Sequence, residues 1–432
     1  MITPQQIKQI PATLAAVLQG MRLYPGEHPQ VRRQLEAVLD AMRPLLQQKG
    51  QLQLGFADGT LLIEDLPCLE QHPAILELSQ KVRDCRLKGI RFYPGLDAAQ
   101  LLELMTQLNK GNSEISEALD ILGIYHIRVI PEEDSPREVY REALSVVESL
   151  YEDARLGRRP ASSIAFNSVQ KMVSSAISRP YALLAMTLLK DYDNYTFTHS
   201  VNVSVISLTI GRACNLPKEQ LNLLGMGGMM HDLGKMTIDH AIITKPGLLS
   251  SDERLKMMSH PEHGVEIVSK MESIPSEVID IIHYHHLRYD RTGYPQDSRD
   301  RQISPLVEMV TIADTFDAMT TLRCYQKPFS PKKALDQLRQ MSGSHLHPEY
   351  VEKFTNFLGP YPVGSLVRLN DGVIALVIDQ NHQGENSLKL KPIITAEGQR
   401  QQDAPELNHP DSSQILSEVD PILKGIQVEN YL

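Results

Sequence analysis

The chain has 432 residues, with 53 acidic against 43 basic side chains, a formal net charge of -10 and 42% hydrophobic residues. That length is enough for two or three domains, and the acidic balance argues against a general nucleic-acid or anionic-membrane binder, so neither DNA nor a membrane is an expected partner. Cys68, Cys85, Cys214 and Cys324 show no paired spacing, and neither a signal-peptide core nor about 18 continuous apolar residues occurs, which predicts reduced thiols and a cytoplasmic location.

Residues 1 to 135 predict an α+β accessory or regulatory domain. Helices near 11 to 22 and 29 to 48 precede a hairpin of Gln51 to Phe56 and Thr60 to Glu64 about Ala57-Asp58-Gly59. A helix near 73 to 87, a strand at Gly89 to Phe92, a helix over Ala98 to Lys110 and a strand at Tyr125 to Ile130 follow. A sensory or oligomerising module and a ligand-free packing appendage fit this mixture equally. Pro131 to Pro136 marks a boundary, and a helix over about 137 to 156 is expected to link the modules, with Glu152 and Asp153 on its solvated face.

From residue 199 to residue 314, ionisable side chains recur as single or paired points on apolar helical stretches. They are His199, His231 with Asp232, His260, His285 with His286, and Asp314. Successive members lie roughly 25 to 32 positions apart, close to one ordinary helix plus a connection. His199 heads a stripe continued by Val203, Ile206 and Ile210, His285 follows Val278, Ile281 and Ile282, and Asp314 closes Leu306, Val310 and Ala313. Faces of this kind point inward, and buried imidazoles and carboxylates must pair or bind cations. The layout is that of a two-metal hydrolase site inside a helical bundle. A lone histidine on such a face is more often a hydrogen-bonded core residue; the doublets argue otherwise. Glycines in the run 225 to 235 cost about 1 kcal/mol each in a helix relative to alanine, which suggests close packing around a site. On a helix His285 and His286 point about 100° apart and suit two neighbouring metals.

Beyond the bundle, Tyr361 to Ile378 reads as two alternating strands about Asn370-Asp-Gly372, a strong hairpin signal. Ser387 to Ile394 adds a third strand, and 397 to 415 is polar and predicted as loop.

Five ordered segments between Tyr195 and Asp317 carry a family resemblance. They are the His199-Ser-Val-Asn-Val203 helix, His231-Asp-Leu-Gly-Lys235, Lys245-Pro-Gly247 with His260-Pro-Glu-His-Gly264, His285-His286 leading to Gly293-Tyr294-Pro295, and Ile312-Ala-Asp314-Thr-Phe-Asp317. The stretch resembles the HD-GYP phosphodiesterases of the HD metallohydrolase superfamily. The resemblance covers the catalytic domain, about 150 to 357, and not the ends of the chain, and it implies an HD-type helical bundle there. With the residue readings above, the expected fold is mainly α, with a catalytic domain over 136 to 357 that includes the linker helix, the α+β domain 1 to 135 and a small β appendage and tail over 358 to 432.

By the same resemblance, two divalent metal ions, Fe or Mn, are expected. One would be held by His199, His231, Asp232 and Asp314, the other by His260, His285 and His286, with Asp232 bridging and acting in catalysis. Together they would activate a hydroxide and clamp the phosphate it attacks. Lys235 would contact a phosphate oxygen, its alternative being a surface lysine. Arg291 and Tyr294 are the further substrate-binding candidates, with a solvated loop charge as the other reading of Arg291. No Asp, Glu or His occurs from Pro160 to Lys190, so no third metal is expected. Two departures fall beside the site: Leu287 stands where the family usually has an acidic residue, and Arg291 where it usually has glycine. The segment from Gln296 to Arg301 also lacks the glycines often found there. His263 is read as a surface residue, and His240, His283, His345 and His347 receive no role.

The implied activity is hydrolysis of cyclic di-GMP to pGpG and on to GMP, with a related cyclic dinucleotide such as cyclic GMP-AMP as the other substrate. The alternative from a different class is a non-catalytic effector that binds the nucleotide, or a diguanylate cyclase through Gly293-Tyr294-Pro295. A homodimer is a further partner reading that no residue pattern demonstrates.

Overall fold

The computed structural model describes residues 4–426 except 58–59, 65, 69–72, 113–114, 133, 188–194, 297–301, 322–327, 382–386, 402–404, 406, 410–414 and 420–425. The expected turn at Asp58-Gly59, the stretch after Gln296 and Cys324 lie outside the described residues. Cys85 and Cys214 are free thiols, and Cys68 is buried. Among the described residues no helix is long and apolar enough to cross a membrane. Contacts divide the chain into two compact units, Met1–Glu133 and Asp134–Leu432.

The first unit runs α1 (Pro4–Leu23), α2 (Pro29–Lys49), β1 (Leu52–Ala57), β2 (Thr60–Ile63), β3 (Leu66–Pro67), α3 (Pro73–Asp84), β4 (Leu87–Phe92), α4 (Ala98–Lys110), α5 (Ile115–Ile121) and β5 (Ile127–Pro131). Its antiparallel sheet has the order β3-β2-β1-β4-β5. Local chemistry sets the ends of α2: the His28 ring accepts from the backbone of Gln30, Pro29 opens the helix, and Gly50 closes it at φ 77°, where a side chain would be strained. One face of α2, from Val31 through Leu35, Val38 and Met42 to Leu46, is buried, each such side chain contributing roughly 1.5–3 kcal/mol of transfer free energy. The short β3 and α5 have no periodic signal in the sequence.

The second unit opens with α6 (Pro136–Arg155), α7 (Ser162–Ser178), α8 (Pro180–Met186), α9 (Tyr195–Ala213) and α10 (Lys218–Met230). A 3-10 turn, Leu233–Thr237, leads to α11 (His240–Ile243), α12 (Ser251–Met258), α13 (His260–Val268), α14 (Ser276–Tyr284), α15 (Pro305–Thr320), α16 (Pro331–Met341) and α17 (Pro348–Leu358). The chain closes with β6 (Leu366–Leu369), β7 (Ile374–Asn381), β8 (Ser387–Ile394), β9 (Leu407–His409) and β10 (Ile415–Glu418), an antiparallel sheet ordered β10-β6-β7-β8-β9. The fold is mainly helical, with the expected α+β region before the bundle and β appendage after it.

Helix α6 begins at a capping box of Ser135 and Glu138 with Pro136 in its first turn. Val139, Tyr140, Ala143, Val146, Val147, Leu150 and Tyr151 are buried, so α6 is a packed member of the bundle against α7, α8 and α9. Glu152 and Asp153 pair with Arg155 and Arg158. Helix α9 is buried on every side: Ser200, Asn202, Ser204 and Ser207 are as enclosed as Val203 and Ile206. The single stripe read from the sequence was therefore too narrow, because a helix apolar all round sits at the centre of a bundle. The residues 407 to 409, expected as loop, form β9 on the edge of β8; three residues are too few to show alternation.

Candidate metal centre

Helix α10 delivers His231 and Asp232 to the centre because its glycines allow the approach. A Cβ on Gly228 would lie 2.9 Å from the Cα of Ser204 in α9, so the two backbones touch there. His231 caps α10 and Asp232 follows it into the 3-10 turn. His199 stands in the first turns of α9, His260 opens α13 behind Pro261, and Asp314 lies on α15. His285 and His286 sit just past the last residue of α14 and not within a regular helix, with their ring centroids 4.1 Å apart.

These elements bring all seven expected ligands together. Asp232, His260, His285 and His286 offer ligand atoms within 4.8 Å of one another, and so do His199, His231 and Asp314. The carboxylate of Asp232 faces both groups. Its Oδ2 lies 3.5 Å from His199 Nε2 and 3.4 Å from His231 Nε2, and its Oδ1 lies 3.3 Å from His260 Nε2 and 3.9 Å from His285 Nε2. His199 Nε2 is also 3.2 Å from Asp314 Oδ1.

Hydrogen bonds fix how the rings are turned. Nδ1 of His231, His260 and His285 donates to the carbonyl three residues earlier, that of Gly228, Met257 and Ile282, at 2.8, 2.7 and 2.9 Å. A carbonyl only accepts, so Nδ1 carries the proton and the Nε2 lone pair is aimed inward. Burial, together with the charges of neighbouring imidazoles, holds His285 well below its usual pKa and His286 at about 3, so both remain neutral. Burial alone would raise the carboxyl of Asp232, but Lys235 and His231 hold it well below the usual range; hydrogen bonding to His199 does the same for Asp314.

Such an arrangement fits divalent cations. His231 Nε2 and Asp232 Oδ1 are fully enclosed and, among the described residues, make no hydrogen bond, a costly state for buried polar atoms. His260 Nε2 and His285 Nε2 approach to 3.3 Å, which sets two lone pairs against each other once both Nδ1 atoms are protonated. A positive ion relieves all of these at once, and imidazole with carboxylate is a donor set for it.

The site is exposed at His286, Asp314 and Lys235. His199, His231, Asp232, His260 and His285 are almost wholly enclosed, whereas the side chains of His286, Asp314 and Lys235 keep 25%, 16% and 23% of their exposure. The Lys235 ammonium rests on Asp232 Oδ2. Tyr294 lies at this mouth, its ring centroid 4.6 Å from that of His286 and 6.3 Å from that of His260. Burial and the carboxylates of Asp232 and Asp314 push its phenol pKa up, which keeps the hydroxyl protonated. Arg291 is turned to Glu308 at 3.8 Å, in a cluster with His347. Leu287 is buried in the bundle core.

Two residues around the ligands were missed in the sequence. Asp317 accepts from His199 Nδ1 at 2.7 Å, and Asn202 donates to Asp317 at 2.8 Å. Each stands three positions after a ligand on the same helix, Asp317 after Asp314 and Asn202 after His199, a spacing that places them on the ligand face. His263 bonds Thr237, the His283 ring lies tilted against that of Tyr284, and Lys245 is locked to Glu253.

Residues 183–350 match the HD domain family model. A cyclic di-GMP phosphodiesterase of Pseudomonas aeruginosa is 30% identical over 319 residues, 73% of this chain and 76% of the relative. A cyclic di-GMP phosphodiesterase of Thermotoga maritima is 31% identical over 171 residues, 39% of this chain and 46% of the relative. A 3'3'-cGAMP-specific phosphodiesterase of Vibrio cholerae is 29% identical over 158 residues, covering 36% and 30%. Among solved structures, an HDG"Y"P protein from Bdellovibrio bacteriovorus aligns with a TM-score of 0.44 at 16% identity, covering 72% of this chain and 94% of that one.

Proposed function

The chain belongs to the HD-GYP phosphodiesterases, and on that premise we propose that it hydrolyses cyclic di-GMP to linear pGpG and then to GMP at a centre of two divalent cations, Fe or Mn. The observation that carries this reading is the pair of ligand groups joined by one carboxylate, with inward lone pairs and, among the described residues, no hydrogen bond to His231 Nε2 or Asp232 Oδ1. His199, His231 and Asp314 would hold one ion and His260, His285 and His286 the other, with Asp232 between them. The ions would supply Lewis acidity for the phosphate and for the attacking water.

The protein's own groups complete the site. Backbone carbonyls and the carboxylate of Asp317 hold the imidazoles in place, so little reorganisation is needed during the reaction. Lys235, at the open side, exchanges Asp232 for a non-bridging phosphate oxygen and offsets the charge that develops there. Tyr294 offers a neutral hydroxyl and a ring face beside the mouth for the nucleotide. Buried apolar side chains of α9, α10 and α15 back the centre and keep water from those faces. Residues 1 to 135 are assigned to regulation, 136 to 357 to catalysis and 358 to 432 to the β appendage.

A second reading, a nucleotide-binding effector or a cyclase-interaction module without turnover, draws on the buried Leu287 at a position where the family usually carries an acid. One assay separates the two. The full chain is purified under reducing conditions with Mn or Fe and cyclic di-GMP is followed by chromatography. Turnover that disappears in Asp232→Ala supports the enzyme; binding without turnover supports the effector; turnover confined to cyclic GMP-AMP changes the substrate.

A further inference from the structure

We infer that Tyr140 and Asn202 are positioning residues which, through Asp317, orient His199 and set how tightly the cation of the His199, His231 and Asp314 group is held. The inference rests on the two-cation reading and goes beyond it, since it concerns residues that touch neither cation nor substrate.

The geometry is a continuous buried chain. The Tyr140 hydroxyl on α6 donates to Asn202 Oδ1 at 2.6 Å, and Asn202 Nδ2 donates to Asp317 Oδ1 at 2.8 Å. Thr321 Oγ1 donates to the same oxygen at 3.1 Å, leaving Oδ2 to accept from His199 Nδ1 at 2.7 Å. Direction is fixed at each link. A carboxylate only accepts, so the amide of Asn202 must turn its NH2 to Asp317 and its oxygen to Tyr140. Burial pushes the Tyr140 pKa up, so the phenol stays a donor.

This chain sets His199 apart. His231, His260 and His285 each lean on a neutral carbonyl of their own helix, whereas His199 alone among these four leans on a carboxylate, brought from α15. An anionic acceptor draws the Nδ1 proton more strongly and makes Nε2 the better donor, and changes at such supporting groups shift metal affinity by roughly 10–100-fold. Asp317 can keep that role only while its other oxygen is satisfied; without Asn202 and Thr321 the carboxylate is free to rotate from the ring. The last link is on α6, which starts where the first compact unit ends in sequence.

The test uses the full chain loaded with Mn(II). Bound metal is counted by elemental analysis, retention is measured against a competing chelator, and electron paramagnetic resonance reports whether ions are coupled in pairs. Tyr140→Phe is expected to weaken one of the two ions about tenfold or more and to convert the coupled spectrum to that of an isolated ion. Ser204→Ala, which removes another buried hydroxyl bond of α9, at 2.8 Å to the Gly225 carbonyl, is expected to keep both ions. The metal-free Tm of the two variants should fall by similar amounts, so that stability alone does not explain the difference. Thr321→Val, nearer the surface, should weaken the same ion to a smaller degree and serves if Tyr140→Phe does not fold. Equal retention of both ions in Tyr140→Phe and in wild type, or in Thr321→Val where that variant serves, overturns the inference while leaving the two-cation reading intact. A wild-type protein that holds fewer than two ions overturns both.

Discussion

A Cβ on Gly234 would lie 1.9 Å from the carbonyl oxygen of His260 and 2.4 Å from the backbone nitrogen of Gly264. The turn that follows Asp232 is therefore in backbone contact with the first turn of the helix that presents His260. No side-chain rotation relieves such a clash, because both neighbours are main chain. Gly234→Ala must move α13, and with it the His260 ring that stands 3.3 Å from Asp232. We expect a loss of stability near the upper end of the 1–3 kcal/mol usual for overpacking and a fall in turnover of about 100-fold. Calorimetry and the chromatographic assay check this; wild-type turnover in Gly234→Ala would show that the two segments are free to separate.

Metal removal should create a pH dependence that the loaded protein lacks. Burial works to lower the His199 pKa, but hydrogen bonds to Asp314 and Asp317 outweigh it and raise the pKa from 6.5 to about 9 in the metal-free fold. A group whose pKa rises on folding contributes stability that is fully present below its unfolded value and disappears as pH climbs through the folded one. Chelated protein should therefore lose Tm between pH 6.5 and about 9. On the acid side Asp232 and Asp314, held well below the usual range, contribute above about pH 4 and lose their contribution as pH falls further. With cations bound, His199 is a neutral ligand throughout the alkaline range, and the Tm of loaded protein should stay level there. Parallel alkaline slopes for chelated and loaded protein would contradict ligation by His199.

The seven candidate ligand positions were legible because they punctuate apolar stretches at intervals that match one helix and its connection, and because their segments carry the family resemblance. Helix α4 was read to its last residue since Asp97 and Gly111 cap it, and β8 was read because it alternates. What escaped depended on contacts between distant segments. Tyr140 and Asn202 are 62 positions apart, and nothing local to either announces the other. Their residue types also have ordinary core or surface roles, so spacing alone could not single them out. The left-handed backbone at Arg291 is another such case, since only the folded loop reveals it.

Arg291 adopts φ 66°, a conformation that costs a side chain about 1–2 kcal/mol and glycine almost nothing. Its guanidinium is spent on a loose pair with Glu308 at 3.8 Å. Arg291→Gly and Arg291→Ala both remove that pair, but only the first relieves the backbone. We expect the glycine variant to be more stable than the alanine variant by about 1 kcal/mol, with KM for cyclic di-GMP within about threefold of wild type in both. A tenfold rise of KM in both would instead give Arg291 a contact with substrate.

Leu287 is 3% exposed in the bundle core, and its backbone bridges to Gly293 at the start of the Gly-Tyr-Pro loop. Restoring the family's usual acid there by Leu287→Glu places a carboxyl among apolar neighbours without a partner. Burial disfavours the charged form, so the introduced group should titrate above its normal range. The sign follows: its cost is small near pH 4, grows as pH passes the unfolded value, and levels off above the raised folded one. At neutral pH we expect roughly 3–5 kcal/mol of destabilisation and no gain in metal retention. Unfolding by urea at pH 5 and pH 8 measures the difference. An increase in retention, with stability unchanged between those two pH values, would mean that the side chain at 287 turns toward the cations and not into the core.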